Sequence, residues 1–319
     1  LMEMDTTESY NSPLKIARTV QAAGGYIEFT PGISFTDSTV YYWRVAAAVN
    51  TGDPVWHSSS FQYIANGGTG FSQAHYDQHL KSAASHIRME EDRLWTYDSV
   101  INNLFVKNGV WGSAITTAGE LVVNVNDSSY IRNSCIYGLI FNVFDKNTFK
   151  PWTNQGTGSV GMFGSTICAT NGTSHNFEFP NTAVGRNNAL QFLRSIPDGN
   201  FVVLRNQVYQ AVGSNQYAVD WKNDELIYGA GNSMYSELKN QGFIDIDSVN
   251  KPRVFNLVYK KNSQAIHPTE FIFSSGIYDA INLSVDCVSP RFLADITSPK
   301  LGPAKSWQQL HWRGKTMDA

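Results

Sequence analysis

NALQFLRSIPDGNFVVLR, from Asn188 to Arg205, decides the fold. Ala189, Leu190, Phe192 and Leu193 recur at helical spacing and give one apolar face about two turns long. Pro197-Asp198-Gly199 then stops the helix, because proline cannot continue it and glycine is free to take φ > 0 in the turn. Phe201, Val202, Val203 and Leu204 follow as an unbroken apolar run, the pattern of a strand covered on both faces. The reading is helix, turn, buried strand, with a helix near 187–195.

The surroundings extend this unit. Gly138-Leu-Ile-Phe-Asn-Val-Phe-Asp145 reads as a strand with a turn after it. Pro151-Trp152 and a Gly-Ser loop at 156–165 lead to Ile167-Cys168-Ala169, and Phe177-Glu178-Phe179 is a short strand. Downstream, a second helix is expected near 232–241, ending at Gly242. Val254–Tyr259 closes as a strand with Lys260 and Lys261 behind it. The order of these pieces, with Ile196-Pro197-Asp198-Gly199 between helix and strand and a second helix running into Gly242-Phe243, resembles the ILEI-type (interleukin-like EMT inducer) domain over residues 135–262. That family contains cytokine-like secreted proteins and a sugar-binding stem domain. The resemblance therefore implies an extracellular setting and a carbohydrate ligand.

Residues 1–64 form a run of short strands. Val40-Tyr-Tyr-Trp-Arg-Val-Ala-Ala47 is the strongest, rich in β-branched and aromatic residues. With Trp56 and Ser60-Phe61-Gln62-Tyr63-Ile64 it resembles the last strands of a fibronectin type III domain, so 1–64 is expected to be a partial sandwich. Trp43 and Trp56 read either as sugar-stacking rings or as core and edge residues of the sheet. Asn66-Gly-Gly-Thr-Gly-Phe71 opens a linker, 65–92, in which Ser72 is placed to cap a short helix through about Ser82. His75 and His79 stand at i, i+4 on that helix, with His86 beyond, a spacing that suits one metal ion. No HExxH pattern accompanies them, and no metal site is assigned.

Residues 93–134 return to alternating strands: Arg93–Tyr97, Leu104-Phe-Val106 and Glu120–Val125. The same texture reappears at Thr269–Phe273, Ala280–Val285 and Trp307–Trp312. Neither flank suffices for a sandwich, whereas together they reach roughly 100 residues, a normal size for one. The expected fold is thus mainly β with an α+β insert: a partial fibronectin-like sandwich at 1–64, and a split β-sandwich made of 93–134 plus 263–319. An ILEI-like β-β-α domain at 135–262 would be inserted between the halves at a loop tip. The chain begins at Leu1 in mid-pattern and reads as a piece of something longer.

Composition narrows the function. A net charge of −3 and 16% charged residues give no footprint for nucleic acid. No apolar run approaches the ~18 residues of a spanning helix. Aromatic content of 13%, with abundant Gly, Asn, Ser and Thr, suits an extracellular β-rich protein. Cys135, Cys168 and Cys287 allow three single pairings or three free thiols. P-loop, dinucleotide-binding and nucleophile-elbow motifs are absent. Cys168 and His175 are the one sequence-near thiol–imidazole pair, and nothing in the sequence orients that histidine. Asp245 and Asp247 alternate on what reads as a short strand. Asp220, Asp224 and Glu225 around Trp221 read as a polar loop or as contacts to sugar hydroxyls or calcium.

The linker and the tail Ser298–Gly314, SPKLGPAKSWQQLHWRG, resemble the middle region of gingipain-type surface proteins exported by type IX secretion, in which a cysteine peptidase domain lies elsewhere in the polypeptide. That resemblance implies an exported, cell-surface location and brings no catalytic residue to this chain. The expected function is a non-catalytic binding and spacer region with a carbohydrate ligand, or else a scaffold that packs against a peptidase domain of the same polypeptide. No catalytic residue or cofactor is assigned. Stacked sugar rings need flat apolar faces flanked by polar groups, and the candidate ligand-binding residues are Trp152, Trp221 and Tyr228.

Overall fold

The computed structural model describes residues 1–21, 23, 25–67, 70–132, 138–157, 160–161, 163–164, 174–209, 217–250, 253–302, 305–307 and 310. The chain divides into two compact units, Leu1–Asp98 with Leu293–Ala319, and Ser99–Phe292. It is mainly β, with four helices among the described residues.

The first unit is built on an antiparallel sheet of β1 (Met2–Asp5), β2 (Ile16–Arg18), β3 (Thr39–Val45) and β4 (His57–Tyr63), in the order β2-β1-β3-β4. Side chains alternate across a strand. One face carries Met4, Tyr41 and Phe61, joined by Phe35 and Tyr63 at ring separations of 4.9 to 5.6 Å. The other face carries Glu3, Tyr42 and Arg44 opposite Ser58 and Ser60. The helix expected over Ser72–Ser82 shortens to one turn, α1 (Tyr76–His79). The Gln78 side chain is the reason: its Oε1 accepts from the Ala74 N–H at 2.8 Å and its Nε2 donates to the Ser72 carbonyl at 3.1 Å, which holds the approach to the turn outside the helix. Short strands β5 (Ala83–Ser85), β6 (Ile87–Met89) and β7 (Trp95–Tyr97) follow, with β6 and β7 paired.

The second unit opens with β8 (Ser99–Gly109), β9 (Val122–Val125) and β10 (Ser128–Arg132), then β11 (Gly138–Phe144) and the two-residue strands β12 (Gly156–Thr157) and β13 (Val160–Gly161). After β14 (Phe177–Pro180) come α2 (Ala183–Ser195), β15 (Phe201–Gln207), α3 (Tyr217–Tyr228) and α4 (Met234–Asn240). β16 (Phe255–Lys260), β17 (Glu270–Phe273) and β18 (Ala280–Pro290) complete it. Two large sheets result, β14-β11-β15-β16-β17, antiparallel throughout, and β10-β9-β8-β18, while β12 and β13 pair with each other.

β15 is the central strand of the five, and all seven of its residues are buried. Val202 and Leu204 join the core that α2, α3 and α4 cover, together with Phe141, Leu190, Phe192, Leu238 and Phe255. Phe201 and Val203 face the other way, into a second core with Leu104, Val106, Val123, Val258 and Val285 from the facing sheet. The unbroken apolar run of the sequence is this double coverage. Thr182 caps α2 by accepting from the Gly185 N–H at 3.1 Å, and Gly199 turns the chain with φ +85°.

The flanks of the expected insert do pair with each other, β18 with β8 from Ala280↔Gly109 to Pro290↔Ser99. They bury their inner side chains against the five-stranded sheet, however, so both sheets share one core. The structure thus divides the chain at 98/99 and 292/293 rather than at 134/135 and 262/263. Thr269–Phe273, read as part of the flanking sandwich, is largely β17, the edge strand of the central sheet. The strand β19 (Asp295–Thr297) belongs to the first unit and pairs with β5.

Asp220, Asp224 and Glu225 around Trp221, read as a polar loop, lie on the 12-residue helix α3, so helical content does not rest on two helices alone. Asp245 and Asp247 lie at a single 3-10 turn, Ile246–Ser248, and not on a strand. Cys135, Cys168, the segment 165–173 and most of Trp307–Trp312 lie outside the described residues.

Candidate functional site

The three residues read as ligand contacts each have their own surroundings. Trp221 is fully buried, stacked on Tyr217 at 5.5 Å and edge-on to Phe255 at 6.4 Å, with Nε1 donating to Asn181 Oδ1 at 3.3 Å. Such an indole has no face to offer a ligand. Trp152 is half-buried against the helix-side core, and its carbonyl lies 2.9 Å from His175 Nδ1. Tyr228 is half-buried at the end of α3.

Two of the three acids around Trp221, Asp224 and Glu225, are likewise occupied, as is Asp247. Asp224 takes both arms of Arg186, Nε to Oδ2 at 2.6 Å and Nη2 to Oδ1 at 2.7 Å. Glu225 accepts from Ser233 and Ser236. Asp247 pairs with Lys222 Nζ at 2.5 Å and accepts from the Tyr235 hydroxyl at 3.1 Å. His75 stands edge-on to Tyr42 and His79 edge-on to Trp95, and burial lowers the pKa of both imidazoles. No group of three or more His, Cys, Asp or Glu suited to a metal occurs among the described residues. Cys287 is a buried free thiol whose pKa burial pushes far up, the opposite of a reactive nucleophile.

A cleft of about 310 Å³ opens instead on the polar face of the first unit's sheet. Strand alternation brings Tyr42 and Arg44 of β3 to its floor, opposite Ser60 and Ser58 of β4. The loop after β1 supplies Glu8 and Tyr10. Asp5 holds this loop, accepting from the Thr6 N–H at 2.6 Å and from the N–H and hydroxyl of Ser12. Burial opposes ionisation of Asp5, yet these hydrogen bonds outweigh it and hold its carboxyl below the usual range.

The Arg44 guanidinium lies between two aromatic rings, 4.1 Å from the centroid of Tyr10 and 4.3 Å from that of Trp56. Its Nε donates to Glu3 Oε2 at 2.7 Å, and Glu3 also pairs with Lys15 at 2.8 Å. From the α1 side, Gln78 Nε2 donates to the Ser60 carbonyl at 3.0 Å and Lys81 Nζ to the Ser58 carbonyl at 2.8 Å, which covers carbonyls of the sheet edge at β4. Asp77 accepts the Tyr42 hydroxyl, and burial together with that carboxylate raises the Tyr42 pKa. The charge on Asp77, followed by burial, raises the pKa of Glu8.

Of this site the sequence marked Trp56 alone as a possible ligand contact. Glu8 and Asp77 lie 69 positions apart (77 − 8), and no local spacing signals their meeting.

No protein-family model matches the chain, and no curated protein matches it. Fold and site define a mainly β protein in which a helix-covered β-sandwich accompanies a smaller β unit with an aromatic, polar cleft. No helix among the described residues is long and apolar enough to cross a membrane.

Proposed function

We propose that this chain is a non-catalytic binding and spacer region of an exported cell-surface protein, and that the first unit's cleft takes a carbohydrate. The stack Tyr10–Arg44–Trp56 beside the serines of β4 carries this reading. Flat rings flanked by hydroxyls, carboxylates and a fixed guanidinium are what sugar faces and sugar hydroxyls require. The high aromatic and low charged content, and the resemblance to ILEI-type and gingipain-type surface proteins, support the exported setting. A glycan array probed with the whole chain tests the reading. Binding that disappears in Trp56→Ala supports it, and failure to bind any polysaccharide rejects it.

A second reading, a scaffold against a peptidase domain of the same polypeptide, is favoured by α3. Its outer face exposes Val219, Leu226 and Ile227, an apolar stripe at helical spacing. Co-purification with the adjoining peptidase segment, lost in Leu226→Glu, is the outcome that reading requires.

A further inference from the structure

We infer that the cleft selects a free amine, so that its sugar is an amino sugar with the ammonium seated between Glu8 and Asp77. The inference rests on the carbohydrate reading above and goes beyond it by naming the group recognised.

Four charged side chains line the cleft: Glu8, Asp77, Arg44 and Lys81. The Arg44 charge is matched by Glu3, and its two faces are covered by Tyr10 and Trp56. Lys81 donates to the Ser58 carbonyl at 2.8 Å, and its charge favours ionised Glu8 less than Asp77 and burial oppose it. His75, 3.7 Å from Asp77, is kept neutral near pH 7 by its burial. Glu8 forms no ion pair among the described residues. Glu8 and Asp77 therefore both face the cleft, with the Tyr42 hydroxyl as a direct donor to Asp77. A neutral hydroxyl leaves their repulsion in place. An ammonium has three N–H donors and a positive charge, and it relieves the repulsion while hydrogen-bonding to both. Like charges placed together in a cleft are a standing preference for a cation.

Titration should follow. Lowering the pH protonates Glu8, which faces Asp77 and Lys81 from the α1 side and Arg44 from β3, and removes half of the ammonium's partners. Raising the pH discharges the amine. Affinity should peak between the two.

The experiment compares glucosamine oligomers with their N-acetylated counterparts of equal length, by calorimetry on the whole chain, with n-hexylamine as a third probe. The free-amine oligomer is expected to bind about tenfold or more tightly than the acetylated one, the scale of a charged hydrogen bond. Glu8→Gln should abolish that preference, as should Asp77→Asn, while Tyr42→Phe keeps it. Equal binding of both oligomers overturns the amine while the carbohydrate reading stands. Hexylamine binding as well as the glucosamine oligomer keeps the amine and overturns the carbohydrate. Binding of none of the three overturns both.

Discussion

Lys261 Nζ donates to the Ile196 carbonyl at 2.5 Å and also to the Leu193 carbonyl, closing the C-terminal end of α2 from the turn after β16, 65 positions further along the chain. Carbonyls at a helix C-terminus have no intrahelical partners, and a cation suits that end of the dipole. The same lysine ties the turn in place through its backbone: the Gly199 N–H donates to its carbonyl at 2.9 Å, and its own N–H donates to Asn200 at 2.9 Å. Burial pushes its ammonium pKa down, against the charges of Glu237 and Asp198, and the two carbonyls accept its protons in that buried setting. Lys261→Met should cost about 2 kcal/mol, the worth of charged hydrogen bonds less the relief of desolvation. Lys260→Met, which loses only a position 5.0 Å above the Phe201 ring, should cost less than half as much. Urea melts of the two variants decide the order.

Phe192 meets Phe177 at 4.6 Å, Phe163 at 5.3 Å, Phe179 at 5.7 Å and Phe141 at 5.9 Å, and is fully buried. Truncating it leaves a void that four rigid rings close poorly. Phe192→Ala should cost about 3–5 kcal/mol. Gly199→Val should also be costly. A side chain there meets only the flexible end of Lys146, at 3.2 Å, but φ +85° is a conformation that β-branched residues resist. Asp198→Ala loses one exposed hydrogen bond, from Asn262 at 2.6 Å, and should cost about 1 kcal/mol. Equal midpoints for Phe192→Ala and the parent chain would remove the aromatic cluster from the stability argument.

The contrast between α2 and α3 shows where the sequence speaks. In α2 four of the six buried positions, Ala189, Leu190, Phe192 and Leu193, form an apolar stripe, and Pro197 and Gly199 punctuate the end, so residue type and environment agree there despite buried Arg186. In α3 the buried stripe is Tyr217, Ala218, Trp221 and Asp224, while Leu226 and Ile227 are exposed. A buried aspartate and two exposed aliphatics blur the periodicity, and the segment reads as a polar loop. β15 was legible because both of its faces are covered, but nothing local tells which partner covers each face. The flanks' pairing was readable from texture, and their packing against the central sheet was not. The cleft is less legible still, since its acids meet only after β1, β3 and the segment at α1 converge.

Arg205 is buried on β15, and Glu178 on β14 stands on the far side of Ile140, facing the same way. Burial pulls the Arg205 guanidinium down to about 10, and Glu178 acts against that shift. Nη2 lies 3.4 Å from Asn176 Oδ1. Arg205→Met removes the buried positive charge on which Glu178 acts and should cost about 3–5 kcal/mol. The double variant Arg205→Met with Glu178→Met should recover most of that loss, since a matched apolar pair replaces both charges. A double variant less stable than the single one would mean that the two residues do not compensate each other.

Glu8 gives the stability a pH dependence of defined sign. Its pKa is raised in the folded chain above the ordinary 4.5, first by Asp77 and then by burial. The folded form therefore binds the proton more tightly than the unfolded form does. That contribution is present below pH 4.5 and is lost as pH climbs through the raised value. Glu8→Gln should raise Tm modestly at neutral pH and leave it unchanged in acid. A Tm difference that grows on acidification would reverse the assignment.

Asp224 separates a structural acid from a ligand-binding one. It holds Arg186 of α2 through two short bonds, and both side chains are nearly excluded from solvent, 5% and 8% exposed. Arg186 also reaches the carbonyl and Oδ1 of Asn181, each at 3.1 Å, and Asn181 Oδ1 in turn accepts from Trp221. Removing the carboxylate leaves a buried guanidinium without its counter-charge, and the loss reaches Trp221 through Asn181. Asp224→Ala should cost about 3–5 kcal/mol, while Asp220→Ala, one turn earlier and half-buried, should stay within about 1 kcal/mol. Asp224→Asn keeps the shape and loses the charge, and should fall between the two. Calcium added during the melts should shift none of the three midpoints. Were Asp224→Ala to melt like the parent chain and lose ligand binding instead, the polar residues around Trp221 would be a site after all.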